Sequence, residues 1–361
     1  MIKNIYLDYN ATTPILPEIL VKMQELPNLP MNASSPHSHG QFARNTLERA
    51  RNLILKSVVG SAWMDYNVIF TSSGSESNNL IIQNFRNDNI LYSNTEHSSI
   101  VKSAENTGNS MQICVNENGL IDLDNLSGAI KKFNPQLISI SHANNETGVI
   151  QDISSIADIC RLYNVKFHTD ACQSFGKILC NFETIKPDII TVSSHKIYGP
   201  VGACAVIYKK NVNINPAIFG GGQEFGVRAG TENIYAIYGF SLATLFARLD
   251  LPNRYLQVEY LRDQIDENAI KLGHLPLCSS VQRIPNTTMI AKKNGNSSSE
   301  IMRLDMLGFS ASSGSACSSG LHEESRVLSY LGISGEYKST TRYSLGIWTS
   351  QDDVEKLFSI L

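Results

Sequence analysis

The sequence predicts an α/β protein built on a mainly parallel sheet with helices on both faces, and three observations predict it. Short β-rich runs, apolar at most positions, alternate with helical stretches through the first two-thirds of the chain. Clusters of small and polar residues follow those runs directly, as they do at the carboxyl edge of an open parallel sheet, where ligands bind. After about residue 245 the texture changes, and a long polar-apolar helix leads into shorter strands and helices, the mark of a second, smaller domain.

The β runs fall at 68–70, 89–92, 136–141, 165–168, 188–192 and 203–208. Each is apolar over most of its length, as a strand covered on both faces must be. Helices are predicted between them at 77–85, 123–132 and 153–163, and the long helix at 253–272. The stretch 294–299 (NGNSSS) reads as a surface loop. The apolar region 232–248 is too short to cross a bilayer and reads as a buried helix.

The chain has 361 residues, enough for one large core and a smaller one. With 42% hydrophobic and 17% charged residues it has the composition of a folded protein. The net charge is -3 and no basic run tracks a phosphate backbone, which argues against a nucleic-acid partner. The opening MIKNIYLDYN has neither the apolar stretch nor the cleavage site of a signal peptide, so a cytoplasmic protein with no membrane association is expected. Seven cysteines, an odd number with no C-x-x-C pair, argue against a disulfide framework or a structural zinc site.

Seven polar clusters carry the candidate chemistry. Thr71 to Asn78 (TSSGSESN) follows a strand and opens a helix, a place where backbone N–H groups and the helix dipole favour a phosphate. Thr95-Glu96-His97 offers a ring that could stack on a flat cofactor and move protons. His142 to Gly148 crowds polar groups around Asn145 at another strand end. Asp170 emerges from an apolar strand, where a carboxylate needs a cationic partner such as a protonated pyridine nitrogen. Lys196, in Ser193-Ser194-His195-Lys196, stands where a lysine of lowered pKa could form a Schiff base. Gly220-Gly221-Gly222 and the following Arg228 to Thr231 form a glycine-rich loop without nucleotide-binding spacing. Cys317 lies in Ser312 to Gly320 (SSGSACSSG), which has too few apolar residues to be packed in a core, so its thiol is expected on an accessible loop. Taken singly, each cluster also reads as an ordinary cap, turn or connector. Their order supplies one partner each for the phosphate, ring face, ring nitrogen and aldehyde of a phosphorylated pyridine aldehyde.

At these residues the sequence resembles the cysteine desulfurases, within the class V aminotransferase-like pyridoxal-phosphate enzymes. The resemblance runs from Tyr6 to Gly346 and is most specific in SSGSAC (312–317), SSHKIYGPVG (193–202) and NNETGVIQDI (144–153). The SSGSAC segment is similar to that of the desulfurases of iron–sulfur assembly and nitrogenase maturation. The resemblance implies the aspartate-aminotransferase-like (type I) fold, with a large domain over 13–245 holding a seven-stranded sheet. A smaller α+β domain, 1–12 with 246–361, would carry the cysteine loop.

It further implies pyridoxal 5'-phosphate as cofactor, with Lys196 as its Schiff-base lysine. Gly74, Ser75, Ser193 and His195 would hold the phosphate, and Thr231 would reach that of the neighbouring subunit in a homodimer. His97 would stack on the ring and move protons, Asp170 pair with the ring nitrogen, and Gln173 contact the phenolic oxygen. Asn145 would lie near ring and substrate, and Arg342, with Asn32, would grip the carboxylate of L-cysteine. Cys317 would take the sulfur as a persulfide, for an acceptor such as an iron–sulfur scaffold or a thiolation enzyme. No resident metal is implied, only transient contact of Cys317 with an iron–sulfur cluster.

Ala33, Cys172 and Phe225 depart from the family pattern, and the sequence ends at Leu361 without the extension by which longer relatives dock a scaffold. Two other readings stay open on residues alone. One is a selenocysteine lyase or small-amino-acid aminotransferase, which needs Lys196 and Asp170 but not the cysteine loop. The other is a sulfur-relay protein that keeps the fold without catalysis.

Overall fold

The computed structural model describes residues 4–293, 295–313, 325–332, 337 and 339–361. Its strands are β1 (Ile5–Tyr6), β2 (Tyr66–Thr71), β3 (Ile90–Ser93), β4 (Ser110–Ile113), β5 (Leu137–Ser139), β6 (Lys166–Asp170), β7 (Ile189–Ser193), β8 (Cys204–Lys209), β9 (Leu275–Pro276), β10 (Thr287–Lys292), β11 (Phe309–Ser310) and β12 (Ser339–Ser344). β2 to β8 form one seven-stranded sheet in the order β2-β8-β7-β6-β5-β3-β4. β8 is antiparallel to both its neighbours, and every other pairing is parallel. Six strands therefore end at the same edge and β8 alone begins there.

The six predicted runs are β2, β3, β5, β6, β7 and β8. In β7 all five residues are buried and rich in β-branched side chains, which suits a central strand with both faces covered. Emptying one such site, as Ile190→Ala would, costs about 2–5 kcal/mol. β4 was not predicted. It is a partly exposed edge strand, Ser-Met-Gln-Ile, with neither the apolar run nor the alternation that marks a strand.

The helices on the sheet form for local reasons. Helix Ser38–Val59 buries Ala43, Leu47, Ala50, Ile54 and Val58, a three-to-four-residue spacing that makes one apolar stripe, and packs on helix Ile234–Leu249. Helix Leu123–Phe133 starts where the Asp122 side chain accepts the Asn125 N–H and stops at Asn134, which is left-handed at φ 48°. The stretch 294–299, expected as a loop, is corrected in part: Asn296 caps Ser298 and Ser299, and helix Ser297–Met306 begins inside it. Serines after an asparagine are as much a helix start as a loop. Among the described residues no single helix is long and apolar enough to cross a membrane.

Two small sheets complete the chain. β12-β10-β9 is antiparallel, with Met289 opposite Arg342 and Thr287 opposite Ser344. β1 pairs in parallel with β11, joining the first residues to the last third of the chain. Isolated bridges tie Asp8 to Ser344 and Ser312 to Arg342.

Candidate active site

A cleft of about 500 Å³ opens at the sheet edge where the six strands end. Gly74, Ser75 and His97 line it from behind β2 and β3, and Asn145 from behind β5. Asp170, Gln173, Ser193, His195 and Lys196 line it at and after the ends of β6 and β7, and Arg342 faces them from β12. Gly74 to Lys196 thus meet because parallel strands deliver their ends to one edge, and Arg342 joins them from the antiparallel sheet.

Local structure orients each group. Ser73 caps helix Gly74–Asn84 by accepting the Glu76 N–H, so Gly74 and Ser75 form its first turn, whose N–H groups have no partner within the helix. Asp170 is the last residue of β6. Its carboxylate accepts from Asn78 Nδ2 at 2.8 Å and from the Cys172 N–H at 2.9 Å. Lys196 closes a single tight turn, Ser194–Lys196, after β7. Glycine is required three residues on: a Cβ at Gly199 would stand 2.3 Å from Ser194 Oγ and 2.8 Å from Ala243 Cβ. Lys196 Nζ donates to the carbonyl of Ala11 at 2.8 Å and to that of Asn10.

His97 caps helix Ser98–Glu105, and its Nδ1 accepts the Ser99 N–H at 3.1 Å, which assigns the proton of the neutral ring to Nε2. Burial, aided by the charges of Lys196 and Arg326 and opposed by Asp170, holds its pKa below the ordinary value, so the ring is neutral at pH 7. Burial, with the Lys196 charge, lowers His195 to about 4. Arg342 is 3% exposed; its guanidinium donates to Asn145 O at 2.9 Å and to Asp8 Oδ1 at 2.6 Å. These use two of its five N–H groups, and the buried Nε has no partner among the described residues.

Comparison with known proteins identifies the constellation. Residues 5–357 match the class-V aminotransferase family. The cysteine desulfurase IscS of Dictyoglomus turgidum is 35% identical, over 100% of this chain and 94% of its own. The chain belongs to the cysteine desulfurases. A NifS-like protein from Rickettsia africae, solved by X-ray crystallography, superposes with a TM-score of 0.93 at 37% identity, over 99% of this chain and 98% of that one. SspA, solved in complex with cysteine, superposes with a TM-score of 0.80 at 28% identity, over 96% and 99%. As a cysteine desulfurase of the class V group, the enzyme depends on pyridoxal phosphate and takes sulfur from cysteine.

The residues of this desulfurase fit that cofactor. Ser193 Oγ and Ser194 Oγ are buried without hydrogen-bond partners among the described residues, and Ser193 lines the cleft beside the helix start at Gly74. The Ser193 hydroxyl, unpaired beside a helix N-terminus, suits a phosphate. Across the cleft, Asp170 offers a carboxylate, His97 an imidazole and Lys196 an amine.

Two expected residues lie outside the cleft lining. Asn32 is exposed and outside the cleft lining, its Oδ1 accepting the Ser34 N–H at 3.0 Å in a turn that Arg44 clamps through the Ala33 carbonyl. Within this chain it therefore has no reach to a substrate. Thr231 is also exposed and outside the lining. Cys317 lies outside the described residues.

The cleft also holds groups that sequence reasoning left without a role. Asn10 and Asn78 stood inside quoted segments. Glu96, beside His97, is 5% exposed and accepts from the Ser141 N–H at 2.7 Å and from Ser141 Oγ; burial raises its pKa to about 8. Glu146 is raised by burial to about 7 and accepts from Ser325 Oγ at 2.5 Å. A carboxyl needs burial to act this way, and neighbouring residues do not reveal burial.

Proposed function

We propose that this desulfurase releases the sulfur of L-cysteine in the cleft and carries it on Cys317 as a persulfide, leaving L-alanine. The observation that carries the reading is the meeting, in one cleft, of Lys196, Asp170, His97, Ser193 and Arg342, which come from four separate stretches of chain.

Lys196 holds the cofactor aldehyde. Gly74, Ser75, Ser193 and His195 hold its phosphate, Asp170 its ring nitrogen, and Gln173 its phenolic oxygen, while His97 lies on its ring with Asn145 nearby. Bound pyridoxal phosphate supplies an electron sink that makes the substrate Cα–H acidic. Arg342 turns its remaining N–H groups to the substrate carboxylate, which fixes Cα beside the Lys196 amine. The Lys196 amine would take the Cα proton. His97, neutral and protonated on Nε2, is placed to give and recover a proton. The Cys317 thiolate attacks the substrate sulfur, the S–S bond forms as the Cβ–S bond breaks, and protons delivered to the carbon skeleton complete alanine.

The chain geometry supports that role for Cys317. Ser312 is bridged to Arg342, and Ser325, Arg326 and Val327 line the cleft, so both described ends of the segment adjoin it. Cys317 is four residues on from Ser313 in sequence, at most about 13 Å of extended chain. Pairing of β1 with β11 supports a small domain of 1–12 with 246–361, set against a large one of 13–245. Phe219 and Phe225, 83% and 62% exposed in the stretch leading to Thr231, support a homodimer in which Thr231 serves the neighbouring subunit's phosphate. The six described cysteines are free thiols, as a reducing cytoplasm keeps them. An iron–sulfur scaffold or a thiolation enzyme receives the sulfur.

The test is mass spectrometry after brief exposure to L-cysteine, with alanine measured in parallel. A gain of one sulfur atom on the peptide containing Cys317 is expected, and Cys317→Ala should keep the yellow chromophore while losing sulfide release. Sulfur on another cysteine, or full turnover by Cys317→Ala, would reject the assignment.

A further inference from the structure

We propose that Lys177 is a positioning residue: its buried amine fixes which way the Gln173 amide faces, so that Gln173 presents an N–H donor to the cofactor's phenolic oxygen. The proposal rests on the reading that Gln173 contacts that oxygen.

Lys177 is 2% exposed. Its Nζ lies 2.7 Å from Gln173 Oε1 and 2.8 Å from Asn10 Oδ1. Burial, then the like charges of Lys196 and Arg342, hold its pKa well below the ordinary lysine value. A neutral amine still has two N–H groups for the two oxygens, and the Asn10 carbonyl, which takes a Gln173 N–H, favours the same orientation at either charge.

A lysine amine in this setting is a donor, so the amide oxygens of Gln173 and Asn10 turn toward it and their NH2 groups turn away. Gln173 Nε2 accordingly donates one N–H to the Asn10 carbonyl at 3.0 Å, the same carbonyl that accepts from Lys196 Nζ. The second N–H belongs to a side chain that lines the cleft. Flipping the amide would set its oxygen against the Asn10 carbonyl, acceptor against acceptor in a buried site, would lose the oxygen that the Lys177 amine bonds, and would turn a carbonyl toward an oxygen that needs a donor. Asn10 is locked in the same sense: its Oδ1 also accepts from Asn286 Nδ2 at 3.1 Å, and its Nδ2 donates to Asn145 O and Thr287 Oγ1. Lys177 touches none of the reacting atoms in this scheme and acts through Gln173.

The experiment uses the holoenzyme and reads the absorption band of the yellow chromophore, its pH titration, and KM and kcat for L-cysteine. Gln173→Met should move the apparent pKa of the chromophore by about one to two units, the size expected of one lost hydrogen bond to a charged group. Lys177→Met should move it the same way, and the double variant should match Gln173→Met alone. Lys177→Gln, which keeps an NH2 for one of the two oxygens, should recover part of the shift and serves if Lys177→Met does not fold. A role in stability alone would lower the unfolding midpoint and leave the titration unmoved. A shift in Gln173→Met with none in either Lys177 variant overturns the proposal, as do additive shifts in the double variant. An unmoved titration in Gln173→Met overturns the Gln173 assignment itself, and the proposal with it.

Discussion

Replacing Glu96 by glutamine should stabilise the enzyme at neutral pH and do progressively less as the solution is acidified. Glu96 is buried beside the cofactor cleft, and burial moves its carboxyl from an ordinary 4.5 to about 8, with Asp170 adding to the rise and the two Ser141 contacts opposing it. The unfolded chain gives up this proton near pH 4.5, whereas the folded chain keeps it to about pH 8. Between those values the folded state binds more protons than the unfolded one, so stability falls as pH rises. At about 1.36 kcal/mol per pH unit, going from pH 5 to pH 7.5 removes roughly 3 kcal/mol through this group. Glutamine has the same shape, can accept the Ser141 N–H on Oε1 and donate to Ser141 Oγ from Nε2, and carries no proton equilibrium. The difference in unfolding free energy between Glu96→Gln and wild type should therefore grow by about 3 kcal/mol in favour of the variant over that interval. Urea unfolding of both proteins at pH 5 and 7.5, at one protein concentration and saturating cofactor, measures it, and the other titrating groups cancel in the difference. A difference constant to within about 0.5 kcal/mol would mean that Glu96 ionises normally and that its burial is wrongly described.

Two further substitutions probe the site. Arg342→Lys should raise KM for L-cysteine and lower kcat/KM by roughly a hundredfold, because a point charge cannot hold Asn145 O, Asp8 and a carboxylate together; steady-state kinetics with an unchanged KM would contradict the assigned grip. Gly199→Ala should lower the unfolding free energy by about 1–3 kcal/mol and reduce the cofactor retained per chain, since its Cβ would press on Ser194 in the turn that carries Lys196. Urea unfolding and cofactor absorbance read both effects, and wild-type values in each would refute the close approach.

Much of the fold was legible because the buried strands announce themselves. β7 and β8 are apolar almost throughout, and a short run of that kind, set between helices, has to be a strand covered on both faces. The same logic located the site: a polar cluster directly after a buried strand must lie at a sheet edge, and five such clusters on parallel strands share one edge. β12 shows where the logic stops. Ser-Thr-Thr-Arg-Tyr-Ser is fully buried although it looks like surface, because β10 pairs with it and Asp8 and Asn145 hold its arginine. What hides a polar strand is a neighbour about fifty residues away, and no local pattern encodes that. Phe225 taught the opposite lesson. It departs from the family pattern in a left-handed turn, yet the loop is anchored by its neighbour Glu224, which is buried, bonded to Arg51 at 2.9 Å and accepts the Phe70 N–H.

The contacts that align the cleft were the least legible of all, and Asn10 shows why. Read along the chain, it is one polar residue in YLDYNATTP. In the fold it is 1% exposed and nearly every polar atom it has is committed to a different stretch. Its N–H goes to Ser344, its carbonyl receives Lys196 and Gln173, its Oδ1 receives Lys177 and Asn286, and its Nδ2 serves Asn145 and Thr287. Those partners lie 135 to 334 residues away. A buried amide with both ends engaged has a single orientation, because turning it would face donors with donors on one side and its oxygen with the Asn145 carbonyl on the other. Asn10 therefore transmits orientation among Lys196, Gln173 and the strand that bears Arg342, three groups the proposed reaction needs in register. The residue types that do chemistry can be read from sequence because each must follow a strand. The residue that aligns them need follow nothing, and only the closed fold shows it.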